Sequence, residues 1–382
     1  MKHDSIAIFT PYLSVSGAAL ANYTAAMAKG FQDVGIQDLY LVYLCDRPGQ
    51  QVTVPETARL VPLEIQRSRQ APVPLAKFLR EIKPSVLISV SAFISMPATL
   101  GWLLAGKGPT KLIVSQHSTM SYKAYVEYKD NVWMRAYPQL ARWLYPLASG
   151  LHANSQEVLD DLLEKIRIPV PRDRAFATAN PVNLDVISRS CQTESEHPWL
   201  RHKQKPVIIS AGRLAKQKNY PLLLKAFAAV RQKLAAQLVI LGEDGPERQT
   251  LESLIRELGI EADVSLPGFS ENPWSSIAKA DVFVLPSQEE PFGLVLVEAM
   301  ACGVPVIATD AIGGGPRTIL ESGKNGILVP QDDVAALTEA ILKGLTVQEL
   351  RQQLVTAGKQ RCEAFRPEAI AQQWLSFIER LP

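Results

Sequence analysis

Short apolar runs of strand length alternate with amphipathic stretches along the whole chain. The first run, residues 5–10, predicts a buried strand. Residues 18–34 then place Leu20, Tyr23, Thr24, Met27 and Phe31 on one helical face. Residues 39–45, 86–91 and 112–115 predict further strands, and 131–147 predicts a helix interrupted or bent at Pro138. A strand over 150–153 runs to Asn154, three residues before Glu157, a spacing like a capping box for a helix over 155–166. The second half repeats the theme, with strands predicted at 207–211, 238–241, 263–266, 282–285, 304–308 and 327–329 and helices between them. Strands that alternate with helices predict an α/β chain of parallel, doubly wound sheets covered by helices on both faces.

The alternation lapses once. Residues 186–205 are polar and charged without periodicity and read as a linker, which divides the chain into domains over 1–185 and 206–366. A length of 382 residues agrees with two domains. Cys191, His197 and His202 fall in the predicted linker, but no fourth ligand stands at zinc-like spacing, so no metal site is expected there. After Pro367 comes a last helix with Ile370, Trp374, Phe377 and Ile378.

Composition narrows the class. A hydrophobic share of 47% with 20% charged residues marks an ordinary globular chain with ample core, and a net charge of +2 gives no reason to expect nucleic acid. Cys45, Cys191, Cys302 and Cys362 are scattered without C-x-x-C, as expected of reduced thiols in a cytoplasmic protein. The start lacks a signal-peptide apolar region, and no apolar run approaches the ~18 residues needed to span a bilayer.

The chemistry concentrates at two places in the second half. In S-Q-E-E-P-F-G-L-V-L-V-E-A-M-A-C-G-V-P-V-I, Glu290 and Glu298 lie eight positions apart. The strand at 282–285 precedes them, and an apolar helix is expected to begin near Phe292, which puts Glu290 in the loop and Glu298 two turns inside the helix. A helix start offers free N–H groups and the positive end of a dipole, which suits a phosphate. The other place is S-A-G-R-L-A-K-Q-K-N-Y-P. Arg213 follows a strand, and Lys218 stands before a helix expected to be capped by Asn219. Cations at the carboxyl end of the first strand of a doubly wound domain point at the crevice where such folds bind ligands. Arg can grip a phosphate bidentately, and Lys adds a point charge.

A nicotinamide-dependent dehydrogenase is the rival for such a pattern. The first strand leads into T-P-Y-L-S-V-S-G-A-A-L, whose one glycine, Gly17, does not make G-x-G-x-x-G. The later Gly313-Gly314-Gly315 is not followed by an acid at the end of a strand at the required distance. Gly17 at the start of the first long helix still permits a ligand to approach the free N–H groups closely.

The 287–307 stretch resembles the E-x7-E signature of retaining GT-B glycosyltransferases of the GT4 family, also called glycosyl transferases group 1. The resemblance is strong over 205–345 and looser in the first half. It implies a GT-B fold, two Rossmann-like domains facing a central cleft, with the last helix, 367–382, crossing back to an acceptor-binding first domain. It also implies a hexosyltransferase that moves a sugar with retention from a nucleotide-diphosphate sugar, by family analogy a UDP-sugar, to a glycan or lipid-linked acceptor in cell-surface polysaccharide or glycolipid synthesis. Carried over residue by residue, Glu290 holds the sugar and Glu298 the ribose. Arg213 and Lys218, with the backbone at Phe292, Gly293 and Leu294, neutralise the leaving diphosphate, and Gly268 and Phe269 border the base. His117, after the strand at 112–115, is similar to a family histidine that faces the donor sugar. The family shows a pair of glycines where this chain has Gly17 and Ala18.

The chain has no D-x-D, so no metal and no cofactor is expected, since cationic side chains can take the charge on the diphosphate. The segment 131–146 mixes Trp133, Tyr137, Trp143 and Tyr145 with Arg135 and Arg142. These aromatics suit either the core of the first domain or a peripheral contact with the inner membrane face. A sugar-nucleotide epimerase or hydrolase on the same fold, or a non-catalytic nucleotide-sugar-binding subunit, remains open beside the transferase.

Overall fold

The computed structural model describes residues 5–13, 18–46 and 52–382. The chain forms two compact units, residues 1–182 with 365–382 and residues 183–364.

In the first unit seven strands form one parallel sheet: β1 (Ser5–Thr10), β2 (Asp38–Tyr43), β3 (Ala58–Pro62), β4 (Val86–Val90), β5 (Lys111–Gln116), β6 (Gly150–Ala153) and β7 (Ala175–Ala177). Their order is β3-β2-β1-β4-β5-β6-β7, so the winding reverses between β1 and β4. The inner strands are buried along both faces, which is why they read as unbroken apolar runs. The edge strands β3 and β7 carried no such signal in the sequence. β3 exposes Arg59 and Leu60, which face opposite sides of the sheet, and β7 is three residues long. The last helix, Pro367–Arg380, belongs to this unit and buries Trp374, Phe377 and Ile378 in one cluster with Phe31, Ile8 and Ile88.

The second unit holds six parallel strands, β8 (Val207–Ala211), β9 (Gln237–Leu241), β10 (Val264–Gly268), β11 (Val282–Leu285), β12 (Val306–Thr309) and β13 (Ile327–Val329). Their order is β10-β9-β8-β11-β12-β13, and the winding reverses between β8 and β11.

Residues 186–205 differ from the linker expected of them. They sit inside the second unit, forming parts of the helices Leu184–Ser190 and Pro198–Arg201. Their polar side chains are spent on it. Ser195 bonds Ser276 at 2.8 Å, His197 bonds Ser265 at 3.0 Å, and Asn272 donates to the Thr193 hydroxyl at 2.8 Å. Such long-range pairings replace the apolar periodicity by which a packed segment is usually recognised. Local starts also differ. The helix at Gln156–Asp160 is capped by Ser155, whose hydroxyl accepts from the Val158 N–H, because Asn154 still extends the sheet by donating to the Gln116 carbonyl. Asn219 holds the N-cap position of its helix, as expected, but its side chain makes no capping bond. It adopts φ +48°, and its amide donates to Asp332 at 3.1 Å.

Candidate active site

In a doubly wound sheet the ligand crevice lies outside the carboxyl ends of the strands where the winding reverses. In the second unit that point is the β8/β11 pair, and the sequence-predicted residues follow both strands. After β8 come Gly212 and Arg213, then a short turn, Lys216–Lys218. After β11 come Ser287 and Glu290, then the helix Leu294–Ala301.

The helix starts two residues later than expected, so Glu298 stands about one turn inside it rather than two. The cause is Gly293. It takes φ +94°, a left-handed conformation outside the helix, and a side chain there would press on the Glu290 Cγ. Gly315 shows a second close approach. A Cβ at that position would fall 2.1 Å from the Phe292 carbonyl oxygen, so the Gly313–Gly315 turn can lie flat against the loop that leads to the helix. The Glu290 N–H donates to the Ile312 carbonyl at 2.8 Å, and the Gly315 N–H donates back to the Glu290 carbonyl at 3.1 Å. This double clamp fixes the Glu290 backbone.

Lys218 and Glu290, 72 positions apart, meet as an ion pair with Nζ 2.5 Å from Oε2. The pair is largely covered, with 16% and 12% of the side chains exposed, so its desolvation must be met by close geometry. Ser287, fully buried, donates its hydroxyl to the same carboxylate oxygen at 3.1 Å. Tyr220 donates to the Gly212 carbonyl at 3.0 Å and holds the turn after β8. Ser287 and Tyr220 carry no motif signal; their roles emerge only where the β8 and β11 loops meet. Arg213 is exposed and, among the described residues, has no ion-pair partner. One cation is therefore already paired within the protein, and the other is available to an anion.

Glu298 is half-buried on its helix, and crowding by protein raises its carboxyl from the ordinary carboxylate range to about 7. The Trp274 indole offsets part of that rise, although its N–H makes no bond of good geometry. Near neutral pH the group is divided between an acid that can donate and a carboxylate that accepts, either of which can meet a hydroxyl. Phe292 is buried and belongs to the scaffold of the site, while Leu294 begins the helix. Gly268 ends the edge strand β10, two strands from β8, and Phe269 follows it. Phe269 exposes 59% of its surface, an apolar ring open to stacking.

The first unit has its own reversal between β1 and β4. Gly17 lies outside the described residues. His117 follows β5 and is turned inward. Its Nε2 lies 2.8 Å from the Ser115 hydroxyl, which also lies 2.6 Å from Nδ1 of the buried His152. Tyr23 meets the His117 ring edge-on at 4.5 Å. Burial lowers the imidazole to about 3, so His117 is neutral at ordinary pH and can offer a hydrogen bond but no positive charge. Nothing in the neighbouring sequence distinguishes Ser91, yet it follows β4 at the reversal with φ +99°, and its buried hydroxyl has no partner among the described residues. A non-glycine residue in that conformation is strained, which is frequent at ligand sites. Among the described residues no group of three or more His, Cys, Asp or Glu is placed to hold a metal ion.

Comparison with known proteins meets this geometry. The family described as Glycosyltransferase Family 4 matches residues 20–186, and the one described as Glycosyl transferases group 1 matches residues 192–361. A Campylobacter jejuni protein, the N-acetylgalactosamine-N,N'-diacetylbacillosaminyl-diphospho-undecaprenol 4-alpha-N-acetylgalactosaminyltransferase, is 32% identical over 269 residues, 70% of each chain. A second from the same organism, the GalNAc-alpha-(1->4)-GalNAc-alpha-(1->3)-diNAcBac-PP-undecaprenol alpha-1,4-N-acetyl-D-galactosaminyltransferase, is 30% identical over 312 residues, 80% of this chain and 77% of its own. Anabaena Alr3699/HepE, solved in complex with UDP and glucose, superposes with a TM-score of 0.76 at 18% identity and covers 99% of this chain and 100% of its own. The two Rossmann-like sheets, the family matches over both halves and these relatives establish that the chain belongs to the GT-B glycosyltransferases of the family 4 type and is a hexosyltransferase.

Proposed function

We propose that this chain transfers a sugar, with retention, from a UDP-sugar to a hydroxyl of a glycan or lipid-linked acceptor in the synthesis of a cell-surface polysaccharide or glycolipid. The observation that carries the reading is the gathering of Arg213, the Lys218–Glu290 pair and the start of the Glu298 helix around the β8/β11 reversal. Support for the acceptor and donor classes comes from relatives whose names specify diphospho-undecaprenol acceptors and from a fold neighbour solved with UDP.

In this reaction Arg213 and the first N–H groups of the Leu294–Ala301 helix take the charge that develops on the diphosphate as the glycosidic bond breaks. Lys218 shifts part of its charge from Glu290 toward the phosphate, which leaves Glu290 freer to accept from a sugar hydroxyl. Glu298 meets the ribose. The neutral His117 keeps Nδ1 for the sugar. The departing phosphate oxygen is the base for the incoming hydroxyl, so the new bond forms on the face that the nucleotide leaves. With two cationic groups and a helix start on the diphosphate, the reaction needs no metal, and full activity in EDTA is the expected result.

The proposal extends to location at the cytoplasmic membrane face. No described helix is long and apolar enough to cross a membrane. The helix Val132–Leu144 and the short turn Tyr145–Leu147 after it split their aromatics. Tyr137 and Tyr145 turn into the core and bond each other at 2.9 Å, while Trp133 and Trp143 expose 82% and 78% of their surface. Arg135 and Arg142 flank them, exposed. Tryptophans beside cations suit an anionic lipid interface, where a lipid-linked acceptor would be found.

A thermal-shift screen over UDP-, GDP- and ADP-sugars identifies the donor, because a ligand that binds only the native state raises its stability. The anomeric configuration of the first product, read from NMR coupling constants, then tests the chemistry. An α-product from an α-donor is expected. A β-product would overturn retention, and donor turnover without any transfer would favour an epimerase or hydrolase.

A further inference from the structure

Cys191 and Cys302 stand outside the chemistry described above. Cys191 ends the helix Leu184–Ser190, and Cys302 ends the helix Leu294–Ala301 that carries Glu298. They are 111 positions apart in sequence, yet their sulfurs lie 3.0 Å from each other, and both side chains are partly accessible. Cys45 and Cys362, by contrast, are buried. The contact is held from several sides. The Cys302 N–H donates to the Glu298 carbonyl at 2.9 Å, and its sulfur lies 3.8 Å from the Trp274 carbonyl. On the other side, Asn272 donates to the carbonyl of Ser190 at 3.2 Å and fixes the turn that carries Cys191.

We propose that Cys191 and Cys302 form an intramolecular disulfide when the protein meets a hydroperoxide, a reversible modification that staples the 184–191 segment to the last turn of the Glu298 helix. In the first step the Cys191 thiolate attacks the terminal peroxide oxygen. The O–O bond breaks, Cys191 becomes a sulfenic acid, and the alkoxide or hydroxide leaves and takes a proton. In the second step the Cys302 sulfur attacks the sulfenic sulfur. The S–S bond forms as the S–OH bond breaks, and the hydroxide leaves with the Cys302 proton as water. Two thiols are oxidised by two electrons, and one peroxide is reduced to an alcohol, or water, plus a further water.

The surroundings favour Cys191 as the attacking group. The hydrogen bond with Cys302 lowers its thiol from the ordinary value, and Lys279 and Lys359 add to that effect against the opposing influence of burial. Cys302 is pushed the other way, by Cys191 and by burial, with Glu298 contributing, so it stays protonated at rest and leaves the first attack to Cys191; in the second step its proton passes to the departing hydroxide as its sulfur attacks. Cross-linking residues so far apart restricts the unfolded chain, and the linked form is expected to melt higher, by on the order of 5 °C.

The test treats the purified full-length protein with hydrogen peroxide, blocks free thiols by alkylation, and maps peptides without reduction. The expected result is one monomeric species with Cys191 linked to Cys302, Cys45 and Cys362 still free, reversal by dithiothreitol, and no cross-link in C191S. Oxidation of either cysteine to sulfinic acid without a link, links only between molecules, or four free thiols after treatment would overturn the proposal. A linked form that melts lower than the reduced one would overturn the staple. Folding of C191S is checked by its melting temperature under reducing conditions, which should match the parent because Cys191 is only partly buried and a smaller hydroxyl is tolerated there. Transferase activity is not a readout, so the result is independent of the donor and acceptor proposed above.

Discussion

The carboxyl edges of the two sheets share a topology and differ in charge. In the second unit the reversal between β8 and β11 gathers Arg213, Lys218 and Glu290. In the first, the strand ends after β4, β5, β6 and β7 present Ser91, Gln116, His117, Asn154 and Asn180, with no ionised group among them at neutral pH. Several of these groups, the Ser91 hydroxyl and the side-chain oxygens of Gln116, Asn154 and Asn180, are buried without a partner among the described residues. The β8/β11 reversal therefore carries ionised groups, while the strand ends after β4 to β7 carry neutral hydrogen-bonding ones. The same scaffold differs at these places through the few residues that follow each strand.

The comparison can be broken first at the charged edge. Lys218→Ala should reduce kcat/KM roughly tenfold to a hundredfold, from the loss of a charge-assisted contact of about 1.5–3 kcal/mol. It should also lower the melting temperature, because Glu290 is left covered and unpaired. Arg213→Ala should cause a comparable loss of turnover with stability unchanged within about 0.5 kcal/mol, since the side chain is exposed and has no ion-pair partner among the described residues. Steady-state kinetics beside thermal melts separate the two, and parental turnover in the Arg213 variant would remove the edge's claim on the diphosphate.

A smaller effect is electrostatic and opposite in sign at the two edges. His117 is held neutral, so the unfolded chain takes up a proton that the native state refuses as the pH falls below about 6.5 toward 3, and stability drops. Glu298 keeps a proton up to about 7 that the unfolded chain releases near 4.5, so its contribution is lost as the pH rises across that window. Between these limits the two trends oppose each other. Melting temperature against pH should therefore rise more steeply in Glu298→Gln than in the parent, and less steeply in His117→Gln. Equal slopes in all three proteins would show that neither burial is felt.

The smallest expected effect lies at the neutral edge. Ser91→Gly relieves a positive φ and removes an unbonded hydroxyl, so it should stabilise the protein by about 1 kcal/mol or less in urea denaturation, net of the entropy cost of glycine. Destabilisation would mean that the hydroxyl has a partner in solution.

Sequence alone reached far where the signals are local. Buried parallel strands announce themselves as apolar runs, and the alternation with helices specified two doubly wound sheets. The places of Arg213, Lys218 and Glu290 were legible because each stands beside a strand end, a turn or the loop before a helix, a position readable from its own neighbours. What sequence could not supply was the partner of each group. That Lys218 binds Glu290, that Ser115 bridges His117 and His152, that residues 186–205 pack on the second unit and that Cys191 touches Cys302 all depend on chain segments folded together from far apart. Periodicity and turn chemistry act over a few residues. Contacts across the strand ends are set by sheet order and by the loops that cross it, and only the tertiary structure decides those.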